Sequence, residues 1–282
     1  MLDYLWKLVP LNMHQKTKDI QKRYNGFLQT NCLWKNDAVF DLHQFEIAQK
    51  SSKINIDIDE KLRLGKYIER FVSYQLKEEN DTAIVCENVQ IQQEKITLGE
   101  LDCIILKDKK PIHLEIIYKF YLYDAYIGNN EIEHFIGPNR KDSLLEKLTK
   151  LKEKQLPLLY TSECKTYLKT INLDINNIEQ QVYFKAQLFV PFSNLSIELL
   201  TLNQDCIVGF FINKKELENL SNCKFFIPIK KDWLIIPHQN VDWLNYVEFK
   251  QKSNESLTRQ FSPLCWLKKP NGQIEKFFLV WW

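Results

Sequence analysis

Two successive segments in which apolar and charged residues alternate constrain this chain more than any other feature. In residues 113–122, HLEIIYKFYL, Leu114 and every second residue after it are apolar or aromatic, whereas Glu115 and Lys119 share the opposite face. Side chains alternate between the two faces of a β-strand. The segment therefore predicts a strand with one core face and one face that carries an acid and a base.

The preceding segment, residues 98–106, LGELDCIIL, has the same character. Glu100 and Asp102 fall on one face, and Leu101 on the other. Charge on a strand that also builds a core is costly unless it has a partner or a function. Two neighbouring strands that each place carboxylates on one face can bind a divalent cation between them. The two segments together thus make Asp102 and Glu115 candidate metal ligands.

The composition excludes some classes of protein but does not indicate which partner this protein binds. The 282 residues are 45% hydrophobic and carry a net charge of +2, which neither requires nor excludes a nucleic-acid ligand. The seven cysteines include no CxxC pair, which argues against a zinc ribbon or a disulfide framework. No apolar run approaches the roughly 18 residues of a membrane span. We expect a protein of the cytoplasm, with no membrane span and no signal peptide.

Periodicity predicts the order of elements in the first half of the chain. Residues 59–77 show helical spacing, and strands are expected at 83–92, 96–107 and 111–123, with a hairpin turn at 107–111. Residues 1–57 are predicted to form short helices around aromatic anchors such as Trp6. The polar run 49–53 is the predicted linker.

The second half begins with a helix that has a clear start signal. Ser143 and Glu146 form a capping box, and Pro157 is expected to end the helix. The elements predicted after it are a short helix at 214–220 and strands at 156–160, 183–192, 206–212, 224–229, 232–236 and 276–282.

Four segments carry a resemblance to a known family. They are LGELD at 98–102, HLEIIYKFYL at 113–122, IGPNRKD at 136–142 and KQLPLL at 154–159. With these, the chain resembles a bacterial family catalogued as domain of unknown function 1853 over most of its length. Residues 59–192 are similar to the PD-(D/E)XK nuclease superfamily.

The superfamily resemblance implies a site and a chemistry. Asp102 and Glu115 would hold Mg²⁺ or Mn²⁺, and Lys119 would orient water or stabilise the transition state. Glu69, on the first helix, would act on the metal through a water, and Gln155 matches a glutamine beside the active site. The implied substrate is a phosphodiester of DNA or RNA.

One position departs from the superfamily pattern. The lysine usually lies two residues after the acid, where this chain has Ile117. Lys119 keeps the face but lies roughly 13 Å from Glu115 along an extended strand, in place of roughly 7 Å. A β-bulge near Ile117, or the reach of the lysine, would restore the geometry.

Each of these residues also has an ordinary structural explanation. Lys119 fits an ion-pair partner of Glu115, and Glu69 fits a surface ion pair. Arg140 and Lys141 precede a helix N-terminus and are candidate phosphate contacts, or part of a solvated turn. The lysines of 147–154 are typical of a solvent-exposed helix face.

Together these observations predict an α/β fold with a restriction-endonuclease-like (PD-(D/E)XK) core and a mixed central sheet flanked by helices. The expected regions are an N-terminal helical extension at 1–57, the core at 58–192 and a C-terminal strand-rich extension at 193–282 that packs on the core; one compact domain overall is the alternative. The expected function is a metal-dependent nuclease. The alternatives are a catalytically inactive module that binds nucleic acid or protein, and an interaction scaffold whose acids form buried ion pairs. The oligomeric state, a dimer included, stays open.

Overall fold

The computed structural model describes residues 11–35, 37–47 and 52–282, with side chains from residue 19 onward. The helices are α1 (Leu11–Gln29), α2 (Leu64–Glu78), α3 (Leu144–Lys150), α4 (Ser162–Thr170) and α5 (Tyr246–Thr258). The strands are β1 (Thr82–Gln93), β2 (Ile96–Lys107), β3 (Lys110–Tyr123), β4 (Phe135–Ile136), β5 (Glu179–Pro191), β6 (Ile207–Asn213), β7 (Lys224–Phe226), β8 (Leu264–Lys268) and β9 (Ile274–Val280).

All of these strands join one mixed sheet. Its order is β1-β2-β3-β5-β6-β9-β8-β7, and β4 pairs with β3. The strands β3, β5, β6 and β9 run parallel to one another, and antiparallel hairpins flank them on both sides. The expectation of a mixed sheet flanked by helices is confirmed.

The predicted hairpin between β2 and β3 is also confirmed. Lys107 pairs with Lys110, which leaves a two-residue loop. Both loop residues, Asp108 and Lys109, have positive φ angles of 50° and 67°. This is the type I′ geometry, whose twist matches that of the two strands.

Successive side chains of β3 point to opposite faces of the sheet, as predicted, and both faces are covered. Tyr118 packs against Phe27 of α1, with ring centroids 6.2 Å apart. On the other face, Ile117 and Tyr121 belong to a core cluster with Leu144 of α3. β3 is thus covered on both sides, so its polar side chains must find partners within the protein.

The segment after α3 differs from the prediction. The helical run continues through a π-helical turn at Leu151–Gln155 into a 3₁₀-helix at Leu156–Tyr160. The strand predicted at 156–160 is therefore wrong. Pro157 lies in the first turn of the 3₁₀-helix, where proline needs no N–H partner and its fixed φ suits the helix.

Other local predictions met mixed outcomes. The strand expected at 232–236 is wrong, because Lys230–Leu234 forms a 3₁₀-helix. The short helices expected in 1–57 are replaced, over its described part, by the single long helix α1. Trp6 and residues 49–51 of the predicted linker lie outside the described residues. α4, α5 and β8 were not predicted.

The C-terminal region extends the main sheet. β6 pairs in parallel with β5, and β9 pairs in parallel with β6. Residue 192, the predicted end of the core, follows directly after β5 and is not an end of the sheet. The strands on either side of it share one continuous hydrogen-bonded layer.

A close backbone approach fixes α1 on this layer. An ideal Cβ at Gly26 would lie 1.8 Å from the carbonyl oxygen of Leu234. Gly26→Ala should therefore lower the free energy of unfolding by about 2 kcal/mol or more, since the backbones must separate. Gly65→Ala in α2 is the matched control, because no atom beyond the adjoining residues and the nearby helix backbone lies within 4 Å of its Cβ position. The control should raise stability by about 0.5 kcal/mol. Urea denaturation of both variants measures this, and equal effects would contradict it.

Candidate functional site

The candidate site forms where β2 and β3 diverge. Their backbone pairing runs from Lys107 opposite Lys110 to Cys103 opposite Leu114, and there it stops. Asp102 is the next residue of β2, and its Oδ2 accepts a hydrogen bond of 3.0 Å from the backbone N–H of Ile116. The carboxylate thus takes the place of a ladder carbonyl and is held at the fork between the strands.

Three carboxylates converge at this fork. Oxygen atoms of Glu69, Glu100 and Asp102 all lie within 4.8 Å of one another. Lys66 lies one helical turn before Glu69 on α2 and donates to it over 2.9 Å, and it also contacts Glu100. Its third partner is Asn88 Oδ1, at 2.6 Å. Oxygen donors at this spacing are a set that could hold a hard divalent cation.

Glu115 lies beside this cluster and is fully buried. Its Oε2 accepts a hydrogen bond of 2.5 Å from Gln155 Nε2. Its Oε1 is 3.3 Å from His113 Nε2, but the two atoms are not aligned for a hydrogen bond, so both lack a well-formed partner. Gln180 Nε2 lies 2.9 Å from the other ring nitrogen of His113. A buried carboxylate oxygen without a donor is a strong acceptor for an additional ligand.

Lys147 completes the site from α3. Its ammonium donates to Gln155 Oε1 over 2.6 Å, so Gln155 bridges Lys147 and Glu115. Burial lowers the pKa of Lys147 to about 8, although the charges of Glu115 and Asp102 act in the opposite direction. The π-helical turn at 151–155 changes the phase of the helical run between Lys147 and Gln155. Such turns are frequent at functional sites.

Burial and mutual repulsion shift the protonation of the acids. The pKa of Asp102 is raised to about 7, first by desolvation and then by the charge of Glu115. Burial also raises the pKa of Glu69, against the effect of its hydrogen bond from Lys66. Burial would lower the pKa of Lys66, but its bonds to Glu100 and Glu69 outweigh this and raise it.

Four of the five predicted catalytic residues come together: Glu69, Asp102, Glu115 and Gln155. Lys119 forms no ion pair with these acids in the described part of the chain; its ammonium pairs with Asp142 at 2.6 Å, although its charge still acts on Lys147. β3 keeps an unbroken register with β5 from Ile112 to Leu122, so it contains no bulge near Ile117.

The predicted phosphate contacts differ in their surroundings. Arg140 pairs with Asp124 at 2.6 Å, and its guanidinium lies 4.2 Å from the ring centroid of Trp282. Lys141 is exposed. The role of both residues in phosphate binding stays a prediction.

Sequence reasoning missed three residues of the site: Lys66, Asn88 and Lys147. Asn88 has a positive φ of 55°, a conformation that asparagine tolerates better than most residues. Lys147 belongs to the segment assigned to a solvent-exposed face, but its side chain is partly buried beside Gln155. Lys147 lies three residues after Leu144 and four before Leu151, the spacing of one helix face, and this was the available signal.

The fold and the site define a mixed α/β protein with a carboxylate-rich site at a fork between two strands. The chain matches the family described as domain of unknown function (DUF1853) over residues 5–280. It belongs to that family, which confirms this part of the resemblance. The chain matches no curated protein and no solved structure. Among the described residues, no helix is both long and apolar enough to cross a membrane.

The raised pKa of Asp102 predicts how stability depends on pH in EDTA. The folded carboxyl titrates near pH 7 and the free one near 3.8, so the folded state binds more protons between these values. The wild type should therefore lose stability as pH rises through this range. Asp102→Asn, which cannot ionise, should gain stability relative to the wild type from pH 5 to pH 8.

Urea denaturation at several pH values measures this difference. Asp57→Asn, at an exposed site, is the matched control and should follow the wild type. A difference between Asp102→Asn and wild type that does not change with pH would contradict the expected titration.

Proposed function

We propose that this protein is a metal-dependent nuclease that hydrolyses phosphodiester bonds in DNA or RNA, on a core of the PD-(D/E)XK type. The observation that carries the proposal is the convergence of Glu69, Glu100 and Asp102, within 4.8 Å of one another, beside the buried Glu115. A site that concentrates acids at a partly buried fork between two strands costs stability and is typical of function.

The order of elements supports the same proposal. The core runs as helix α2, strands β1, β2 and β3, helix α3 and strand β5. Glu69 comes from the first helix, Asp102 and Glu115 from the second and third strands, and Gln155 from the end of the helical run that begins with α3. This is the order that the resemblance to the superfamily implies.

The charges of the site fit a divalent cation. When ionised, Glu69, Glu100, Asp102 and Glu115 carry four negative charges, and Lys66 and Lys147 supply two positive charges. Two negative charges are left, which is the charge that Mg²⁺ or Mn²⁺ would balance. The unpartnered Oε1 of Glu115 offers a further oxygen ligand. The donor set is therefore of the kind that hard cations prefer.

Asp102, with Glu115 or with Glu69 and Glu100, would hold the metal. When bound, Mg²⁺ or Mn²⁺ lowers the pKa of a water molecule and neutralises charge on phosphate oxygens. The residues of the chain then have separate tasks. Gln155 orients Glu115 through its amide N–H, and its carbonyl oxygen fixes the ammonium of Lys147.

Lys147 takes the role that the resemblance gives to Lys119. Its ammonium lies in the same hydrogen-bonded chain as Glu115, whereas Lys119 is paired with Asp142. With a pKa of about 8, Lys147 is protonated for the most part at neutral pH. A fixed positive charge at this position stabilises the charge that develops on a phosphate during hydrolysis.

A cleavage assay on labelled single- and double-stranded DNA and RNA tests the proposal. Mg²⁺ or Mn²⁺ should support cleavage and EDTA should stop it. Asp102→Ala and Glu115→Ala should each lose activity by about 100-fold or more, because each removes a candidate metal ligand. Circular dichroism checks that the variants fold. Full activity in a folded Asp102→Ala protein would exclude the proposed site.

The two lysines can be separated in the same assay. Lys147→Met should lower the cleavage rate by about 100-fold, since it removes a cation beside the reacting phosphate. Lys150→Met, at an exposed position of the same helix, is its matched control and should retain activity. Lys119→Met should also remain active. The reverse result for 147 and 119 would restore Lys119 as the catalytic lysine.

One observation favours a second candidate, a catalytically inactive module that binds nucleic acid. Lys66 already contacts Glu69 and Glu100, so the acidic cluster carries part of its own neutralisation. Under this reading the wild type cleaves no substrate. It binds labelled nucleic acid with an affinity that falls as salt rises, and Lys141→Glu weakens that binding. Fluorescence anisotropy at several salt concentrations measures both effects, and binding insensitive to salt would count against this candidate.

A further inference from the structure

A second polar region lies on the other side of the sheet from α3 and is not used by the proposed nuclease. A cavity of about 270 Å³ opens beside the end of α1 and the strands β5, β6 and β9. Its polar lining consists of Gln29, Thr30, Gln187, Glu275 and Lys276, and its apolar lining includes Val208, Leu234 and Ile274. Mixed lining of this kind suits a small ligand that has one polar end.

Lys276 is the cation of this cavity and is only 6% exposed. Its ammonium donates to Gln187 Oε1 over 3.0 Å and to the carbonyl oxygen of Trp233 over 2.8 Å. An ammonium has three N–H groups, so one is left after these two bonds. Within the described part of the chain, no carboxylate forms an ion pair with Lys276, and the neighbouring Glu275 pairs with Lys269 at 2.8 Å.

The hydrogen bonds behind Lys276 have a fixed direction. Thr30 Oγ1 donates to the carbonyl oxygen of Gly26, which can only accept. Thr30 must therefore accept from the hydroxyl of Tyr118, whose oxygen accepts from Gln187 Nε2. The amide oxygen of Gln187 then faces Lys276. This series of hydrogen bonds can accept one from Lys276, but it contains no negative charge to balance the ammonium.

The other buried lysine of this region shows the contrast. Lys185 donates to the carbonyl oxygens of Phe27, Leu28 and Thr30, at 3.3, 3.4 and 2.6 Å. All its N–H groups are used, and these carbonyls belong to the negative end of the α1 dipole. Lys185 is thus explained as a cap of the helix, whereas Lys276 has both a spare N–H group and no compensating charge.

A buried ammonium without a counter-ion is unfavourable, so it either loses its proton or gains an anion. Burial alone lowers the pKa of Lys276 to about 7. An anion in the cavity would supply the missing charge and the missing acceptor together. The cavity offers one cation, and the Glu275 carboxylate in its lining is already paired with Lys269, so a monoanion fits better than a phosphate, which needs several donors.

We propose that this cavity binds a small monocarboxylate with a short apolar tail, and that Lys276 pairs with the carboxylate. The apolar tail lies against Val208, Leu234 and Ile274. The proposal is independent of the nuclease activity, because none of the residues that it uses belongs to the acidic site.

Calorimetric titration of the full chain with butyrate at pH 7 tests the proposal, with butyramide as the neutral ligand of matched shape. Butyrate should bind one molecule per chain, and butyramide should bind about tenfold more weakly or worse, since it lacks the charge. Absence of butyrate binding would overturn the proposal, and so would equal affinity for the two ligands.

Two variants locate the binding. Lys276→Met should bind butyrate about tenfold more weakly or worse, while Lys268→Met, on β8 and outside the cavity, should bind normally. Gln187→Glu keeps the lysine and places a permanent carboxylate beside it, so it should fold and also lose butyrate binding. Normal binding by either cavity variant would overturn the proposal.

Proton uptake gives a readout that binding elsewhere would not produce. At pH 8 most of the free Lys276 is neutral, and a bound carboxylate should restore its proton. The enthalpy of butyrate binding should then differ between Tris and HEPES buffers at pH 8 and much less at pH 6. An enthalpy independent of the buffer at pH 8 would contradict the ion pair with Lys276.

Discussion

β3 is the strand on which the rest of the structure depends. It pairs with β5 over the eleven residues from Ile112 to Leu122, but with β2 only as far as Leu114. The difference in length creates the fork, and the bond from the N–H of Ile116 to Asp102 secures it. Because β3 is covered on both faces, the acid that it carries at position 115 is buried. The position and the unusual electrostatics of the site follow from this one arrangement.

The fork and the surroundings of Lys276, both in the described part of the chain, carry unbalanced charge of opposite sign. At the fork, four carboxylates face two lysines. Around β9, Lys276 is surrounded by neutral acceptors. Both regions are anchored by the same sheet, and we propose that each binds a group of opposite charge from outside the chain. The fold is thus costly at two polar sites, and it offsets that cost with large apolar clusters on both faces of the sheet.

Features that depend on interactions between residues close in sequence could be predicted, whereas features that depend on contacts between distant residues could not. Alternation at 113–122 and the hairpin turn are local, so β2, β3 and their loop could be predicted from the sequence. Asp102 and Glu115 followed from the same alternation, whereas Glu69 and Gln155 were found through the pattern of a family. The bond between Lys147 and Gln155 could not be found in this way, because it depends on the π-helical turn after α3. The pairing of Lys119 with Asp142 likewise depends on a loop packed by tertiary contacts.

The continuity of the sheet has a consequence for any shortened form of the protein. If the chain were cut after residue 192, β5 would become an edge strand, with a row of backbone N–H and C=O groups facing solvent where β6 now pairs. The acids of the fork come from residues 69–115, yet the strand that supports them is itself supported from the other end of the chain. A fragment that ends at residue 192 would therefore keep all the acids of the fork but lose the strands that continue the sheet beyond β5. The match to the family, over residues 5–280, covers both the acids and the strands that continue the sheet.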